Sequence, residues 1–148
     1  GDPWSGHMAF PGGHRDNSDA SLRHTAVRET LEEVGLDLTT HGRYIGQLET
    51  VRANPRGRTI DMMVSPFVFE LEVSDPQLTM NHEVADIHWG RLGDMLHGRN
   101  FAPDAWQGAP GTQAFPGHHV GGQVVWGLTF RMLENLFSLL SPGFEKRG

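Results

Sequence analysis

Glu29, Glu32 and Glu33 fall at i, i+3 and i+4 of a segment that reads as a helix, so three carboxylates share one face. Like charges at this spacing each cost a helix about 0.2–0.5 kcal/mol, and something has to offset them. A divalent cation is the obvious candidate. The opposite face carries Ala20, Val27, Leu31 and Val34, an apolar stripe expected to bury against a sheet. A fold for this chain must therefore cover one side of this helix and leave the other open to a cleft.

The neighbouring residues supply the rest of such a cleft. Gly6 to Phe10 is a short apolar segment that reads as a strand, and Pro11-Gly12-Gly13 as the tight turn after it. The helix is expected from about Ala20 to Val34, with Ser18 or Asp19 as its N-cap and Gly35 as a left-handed terminator. Arg43–Val51 and Thr59–Val73 read as strands, the second broken at Ser65-Pro66. They form an antiparallel hairpin around a basic tip of Arg52, Arg56 and Arg58. Glu83–Trp89 resembles another strand and Arg91–Leu96 a short helix.

His97–Gly122 reads as a long aromatic loop, Gln123–Trp126 as a strand end. Gly127–Leu140 is a helix burying Leu128, Met132, Leu136 and Leu139 or Leu140, and Trp126 and Phe130 read as core. The order β, α, several β, loop, α indicates an α+β domain with a mixed sheet and helices packed on it. One domain over residues 1–148 accounts for the length, and the opening on Gly1 suggests that the natural N-terminal segment is missing.

Composition excludes several classes of function. A net charge of −6 opposes broad nucleic-acid binding, and the absence of cysteine removes thiol catalysis and thiolate zinc sites. No apolar run approaches the ~20 residues that span a bilayer, and no leader pattern is visible, so a cytoplasmic protein without a membrane partner is expected. The nine histidines do not suggest a metal site. In a strand, His118 and His119 would point to opposite faces.

The chemistry follows from the acidic face. Mg²⁺ takes hard oxygen ligands, commonly a few carboxylates with substrate phosphates. Gly12 and Gly13 let the backbone approach cation and phosphate closely. Arg28, four residues before Glu32 and five before Glu33, is placed to hold those carboxylates in orientation. The implied reaction is attack of an activated water on a phosphoanhydride.

Gly-Gly followed by Arg28-Glu29-Thr30-Leu31-Glu32-Glu33-Val34-Gly35-Leu36 resembles the signature box of the Nudix hydrolases. Thr30 stands where that box has an aliphatic residue, and Asp19 replaces a glutamate, eight residues before Arg28 instead of seven. These departures are similar to the branch that cleaves coenzyme A, with Gly12-Gly13-His14-Arg15-Asp16, the upstream Phe10-Pro11, and later Val64–Val68, Asn81–Ala85 and Val125–Thr129. One element of that branch fails: its upstream arginine falls on Asp2.

The resemblance implies an α/β/α sandwich with a mixed sheet and flanking helices, a Mg²⁺ or Mn²⁺ cofactor, a small nucleotide substrate and a possible homodimer. Glu29 and Glu33 would be metal ligands and Glu32 a ligand or the base, with Arg28 supporting catalysis. Asp19 would be an extra outer-shell acid or simply the helix cap. Gly12, Gly13, Glu83, Arg15, Arg52, Arg56 and Arg58 would contact substrate or its phosphates. Coenzyme A or acyl-CoA, cut to a phosphopantetheine and adenosine 3′,5′-bisphosphate, is the leading substrate. ADP-ribose or NADH is the alternative, and a nucleotide-binding module without catalysis the rival from another class.

Overall fold

The three carboxylates do sit on one helix, in a computed structural model that describes residues 6–53 and 61–148. Along the chain the elements are α1 (Leu22–Val34), α2 (Leu38–His41), β1 (Gly42–Gln47), β2 (Val51–Ala53), β3 (Met62–Val64), β4 (Phe67–Leu71), α3 (Leu92–Leu96), β5 (Phe101–Trp106), β6 (Phe115–Val120), β7 (Gln123–Trp126) and α4 (Gly127–Leu140). They divide between two compact units. One comprises residues 10–48 and 65–87, the other residues 1–9, 49–64 and 88–148.

In the first unit, α1 begins at Ser21, whose side chain accepts the His24 N–H at 3.1 Å. Neither Ser18 nor Asp19 is the cap, because Asp19 turns inward to a different partner. Gly35 ends the helix at φ 69° as expected, its N–H bonded to the Leu31 carbonyl. Val34, Leu36 and Leu38 form the buried cluster, with Val27, Phe69, Leu71, Leu78 and Ile87 packed around it. The apolar stripe is narrower than expected. Leu31 is 49% exposed, and the buried seam runs through Thr30 instead, one residue and so about 100° around the helix. Thr30 tolerates burial because its hydroxyl donates to the Ala26 carbonyl at 2.7 Å.

Strands β1 and β4 pair antiparallel, with a register shift between Tyr44 and Gly46. Beside them, residues 79–84 cross the end of α1. The Thr79 and Asn81 N–H groups donate to the Val34 and Glu33 carbonyls, satisfying acceptors that a helix end leaves open. Glu83–Trp89 does not form the expected strand. The Asn81 side chain accepts the N–H groups of Glu83 and Val84, which turns the backbone locally and takes donors that a ladder would need.

The second unit holds the pair β2–β3, the continuation of the expected hairpin, whose tip with Arg56 and Arg58 lies outside the described residues. It also holds the three-stranded sheet β5-β6-β7 and α4. The supposed loop over His97–Gly122 is thus largely an antiparallel hairpin. Its Gly and Pro content hid the strands, whose ladder is interrupted between Ala102 and Trp106. Gly6–Phe10 forms no strand. Its Met8 carbonyl accepts the Thr129 hydroxyl.

Met95, Val120, Val125, Leu133 and Phe137 make the core here, and Phe130 is 3% exposed. Trp126 stacks on Trp106 with centroids 3.8 Å apart. Met132 is buried as expected, but Leu139 and Leu140 are exposed, because the inward face of α4 runs through Thr129, Phe130, Leu133 and Phe137. Every strand pairing among the described residues is antiparallel, so the α+β class holds while its sheets are small and antiparallel in place of one mixed sheet. No helix among the described residues is long and apolar enough to cross a membrane.

Candidate active site

Residues 12–19 fold back over the acidic face of α1. The Gly12 N–H donates to Glu33 Oε2 at 3.1 Å, so this segment grips one of the three carboxylates directly. At Gly13 a Cβ atom would land on the Glu29 carboxylate, so any larger residue would push that carboxylate from its present place. The two glycines thus have separate tasks, one donating a hydrogen bond and one making room.

Arg28 organises the remaining acids. Its Nε and Nη2 donate to the two oxygens of Asp19 at 3.0 and 2.9 Å, a two-pronged pair of the strongest neutralising geometry. Nη1 donates to Glu29 Oε1 at 3.0 Å and to Glu32 Oε2 at 3.1 Å, and Nη2 also donates to the His14 carbonyl. A guanidinium has five N–H bonds, and five bonds are made here. The brace expected from the sequence therefore exists but holds Glu29 and Glu32. Glu33 belongs to Gly12.

Asp19 is the anchor of that brace. It is 2% exposed and accepts further bonds from the Asp16 N–H and the Thr25 hydroxyl, both at 2.9 Å. The Arg28 guanidinium holds the Asp19 carboxyl well below the usual carboxylate range, with the other two donors acting in the same direction. Asp19 in turn keeps Arg28 more firmly protonated than a free arginine. Asp19 is not the helix cap, which is Ser21; it stands behind Arg28 and, through that arginine, behind Glu29 and Glu32. Its distance from Arg28, nine positions and so off any helical neighbour spacing, was the available signal. Thr25 was missed altogether.

Glu33 lies at the opposite electrostatic extreme. Burial pushes its carboxyl up, and the charges of Glu29, Glu83 and Glu32 add to that, against the lowering effect of the Gly12 N–H. Glu83 therefore acts electrostatically on the same carboxylate, although its own side chain is 63% exposed. The acid with the greatest need of a neighbouring cation is Glu33.

The donor set fits a divalent metal in chemistry: hard oxygens on successive turns, a glycine-lined approach, and one carboxylate destabilised by its neighbours. Among the described residues, no three acidic or imidazole side chains already converge on a single point. The Arg28 and Gly12 bonds account for that, since they draw Glu29, Glu32 and Glu33 to protein donors.

An open cavity of about 480 Å³ lies alongside, lined by His14, Arg15, Asp16, Ser18, Arg28, Glu29 and Glu32. Arg15 is fixed at its rim by bonds from Nε and Nη2 to the Asp19 carbonyl. Of the basic tip, only Arg52 is among the described residues. It belongs to the other unit, and its guanidinium meets Asp61 at 3.1 Å.

A family model described as the NUDIX domain matches residues 1–115. An uncharacterized protein of Schizosaccharomyces pombe is 43% identical over 97 residues, 64% of this chain and 30% of that protein. Mitochondrial coenzyme A diphosphatase NUDT8 of Mus musculus is 31% identical over 140 residues, 94% of this chain and 65% of its own length. Peroxisomal coenzyme A diphosphatase ndx-8 of Caenorhabditis elegans is 32% identical over 92 residues, 62% of this chain and 37% of its own. The chain thus spans less than two thirds of these relatives. Their names overturn the cytoplasmic expectation, pointing to organelles instead. That expectation rested on features not found in the sequence, and such features carry no address.

Proposed function

The chain belongs to the Nudix family, and from that premise we propose that it hydrolyses the pyrophosphate of coenzyme A or an acyl-CoA. The reading of the chemistry is supported above all by one observation: Arg28, anchored on buried Asp19, orients two of three carboxylates while Gly12 orients the third. The substrate rests on the named activity of the relatives and on the local pattern Gly12-Gly13-His14-Arg15-Asp16.

Nudix hydrolases need a divalent metal. Mg²⁺ or Mn²⁺ is proposed here, with Glu29 and Glu33 as ligands and Glu32 as ligand or base. When bound, the cation would neutralise phosphate oxygens and stabilise the charge that develops on them. The chain's own residues do the positioning. Arg28 fixes the direction of Glu29 and Glu32, and the Gly12 N–H fixes Glu33. Glu32 is suited to take a proton, since its side chain is 53% exposed and Arg28 is bonded only to its Oε2.

In the balanced step, water oxygen bonds to one phosphorus of the anhydride and the bridging P–O bond breaks. The proton of the water passes to the carboxylate and the leaving phosphate departs. With coenzyme A the products are phosphopantetheine and adenosine 3′,5′-bisphosphate. Arg15, at the cavity rim, is the proposed phosphate contact. For Arg52 the case is weaker, because Asp61 already faces it.

The test is hydrolysis of coenzyme A, acetyl-CoA, ADP-ribose and NADH with each metal, the products separated by chromatography. Preference for the two coenzyme A compounds is expected. Preference for ADP-ribose or NADH would replace the substrate, and binding without turnover would indicate a non-catalytic module.

A further inference from the structure

In the second unit, the only described histidine with no exposed surface, His118, lies within a shell of aromatic rings: Phe101, Phe130 and Phe137. Neither ring nitrogen has a hydrogen-bond partner among the described residues. A buried imidazole without partners is costly, and its persistence asks for a reason. The nearest charge is Glu134 on α4, whose Oε1 stands 3.7 Å from His118 Nε2, beyond hydrogen-bond reach.

Glu134 is itself 3% exposed and is already satisfied from the segment after α4, residues 144–147, called the tail below. The Arg147 backbone N–H donates to it at 2.7 Å and Nη2 at 2.8 Å. The same guanidinium donates to the Met95 carbonyl and lies 5.0 Å from the ring centres of Phe101 and Phe144. Phe144 in turn packs on Phe137. Arg147 therefore pins residues 144–147 to α4 and the end of α3 through one buried carboxylate.

We infer that His118 is a standby partner for Glu134, which makes docking of the tail residues 144–147 a proton-sensitive latch. With the tail docked, Arg147 satisfies Glu134 and His118 stays neutral. When the tail leaves, Glu134 would be a buried, unpaired anion. A proton taken up by His118 compensates it at short range. The charged groups facing His118 are Glu134 from α4 and Arg147 from the tail. Burial and the Arg147 charge hold the His118 imidazole below the usual histidine range, and Glu134 opposes them. Tail release removes one depressing charge and leaves the supporting one. Protonation and release therefore favour each other, and acid favours the open latch.

Hydrogen exchange at the amides of residues 144–147 tests this, followed from pH 8 to pH 5 and corrected for intrinsic rates. One linked proton predicts that tail opening increases by up to about tenfold per pH unit below the histidine midpoint. His118→Gln should flatten that dependence, and Arg147→Gln should leave the tail open throughout. Retention of the wild-type dependence in His118→Gln overturns the latch. So does an equal acceleration across Thr129–Phe137 of α4, which would mean global unfolding. If His118→Gln fails to fold, the His118 ring signals in wild type and Arg147→Gln decide. A higher midpoint in Arg147→Gln supports the latch, and equal midpoints overturn it.

Discussion

Two arginines each hold a buried carboxylate in this molecule, and the surroundings of the pairs differ. Arg28 binds Asp19, which is 2% exposed, and Arg147 binds Glu134, which is 3% exposed. Around Arg147 the neighbours are Phe101, Phe144, a carbonyl and an unpartnered histidine. Around Arg28 the neighbours are two further carboxylates and an open cavity. A closed pair has charge to match charge and serves to fasten chain. The open one has more acid than its arginine can neutralise, and that excess is what a metal and a phosphate chemistry require.

The largest expected effect separates these roles. Glu32→Gln and Glu33→Gln should each lower kcat by about 10²–10⁴, the usual worth of a positioned acid–base group, with little change in thermal stability. Glu134→Gln should do the reverse. It leaves Arg147 without its anion and should cost about 3 kcal/mol, the low end for a broken buried pair because Arg147 is 20% exposed. Its kcat should stay within about twofold below its melting temperature. Loss of turnover in Glu134→Gln with an unchanged melting curve would break the comparison.

Asp19→Asn combines the two behaviours. Removing the anchor frees Arg28 to shift, so both melting temperature and turnover should fall. Because the folded-state carboxyl of Asp19 is held below its ordinary value of 3.8, its stabilisation is present above that pH and is lost as pH falls through the lower folded value. The gap in melting temperature between wild type and Asp19→Asn should thus be wide at pH 6 and start to close only below about pH 4, shrinking as pH falls further toward the folded value. A gap constant over that range would show that Asp19 acts through packing alone.

Glu33 gives the opposite sign. Burial, with the charges of Glu29, Glu83 and Glu32, raises its carboxyl above the ordinary value. Turnover and metal affinity should both decline as pH falls, and Glu83→Gln, by removing one repelling charge, should shift that decline to lower pH. Titration calorimetry with Mn²⁺ across pH in the two proteins measures the shift. No displacement would mean that Glu83 has no electrostatic role.

The acidic face was legible because a helix has a fixed period and three glutamates at i, i+3 and i+4 leave no choice of side. The glycine cap at Gly35 was legible for the same local reason, whereas the tight turn expected at Pro11-Gly12-Gly13 is only a bend at Pro11 followed by irregular chain. Three kinds of feature were not. Asp19 binds Arg28 through a loop that curls back, which no periodicity encodes. The hairpin of β5 and β6 was hidden because glycines and prolines broke its alternation. The inward face of α4 was misplaced because Leu139 and Leu140 are as apolar as the buried residues, and only packing reveals which side is covered. Local rules placed the chemistry, while the parts that depend on distant chain segments had to be seen.

The smallest expected effect concerns how the two long helices start. α1 begins with a side-chain cap, Ser21 accepting the His24 N–H at 3.1 Å. α4 begins at Trp126 with no side-chain cap and relies on the burial of Phe130, Leu133 and Phe137. If α1 depends on local polar bonds where α4 depends on burial, Ser21→Ala should cost about 1 kcal/mol, or about 2–4 °C in melting temperature. Its exchange signature should be confined to the first turn of α1. Asp19 and Thr25 lie close by, but turnover should fall less than twofold while the Arg28 and Thr25 bonds to Asp19 persist. A loss approaching that of Asp19→Asn would place the cap inside the anchor and join two supports that the geometry keeps separate.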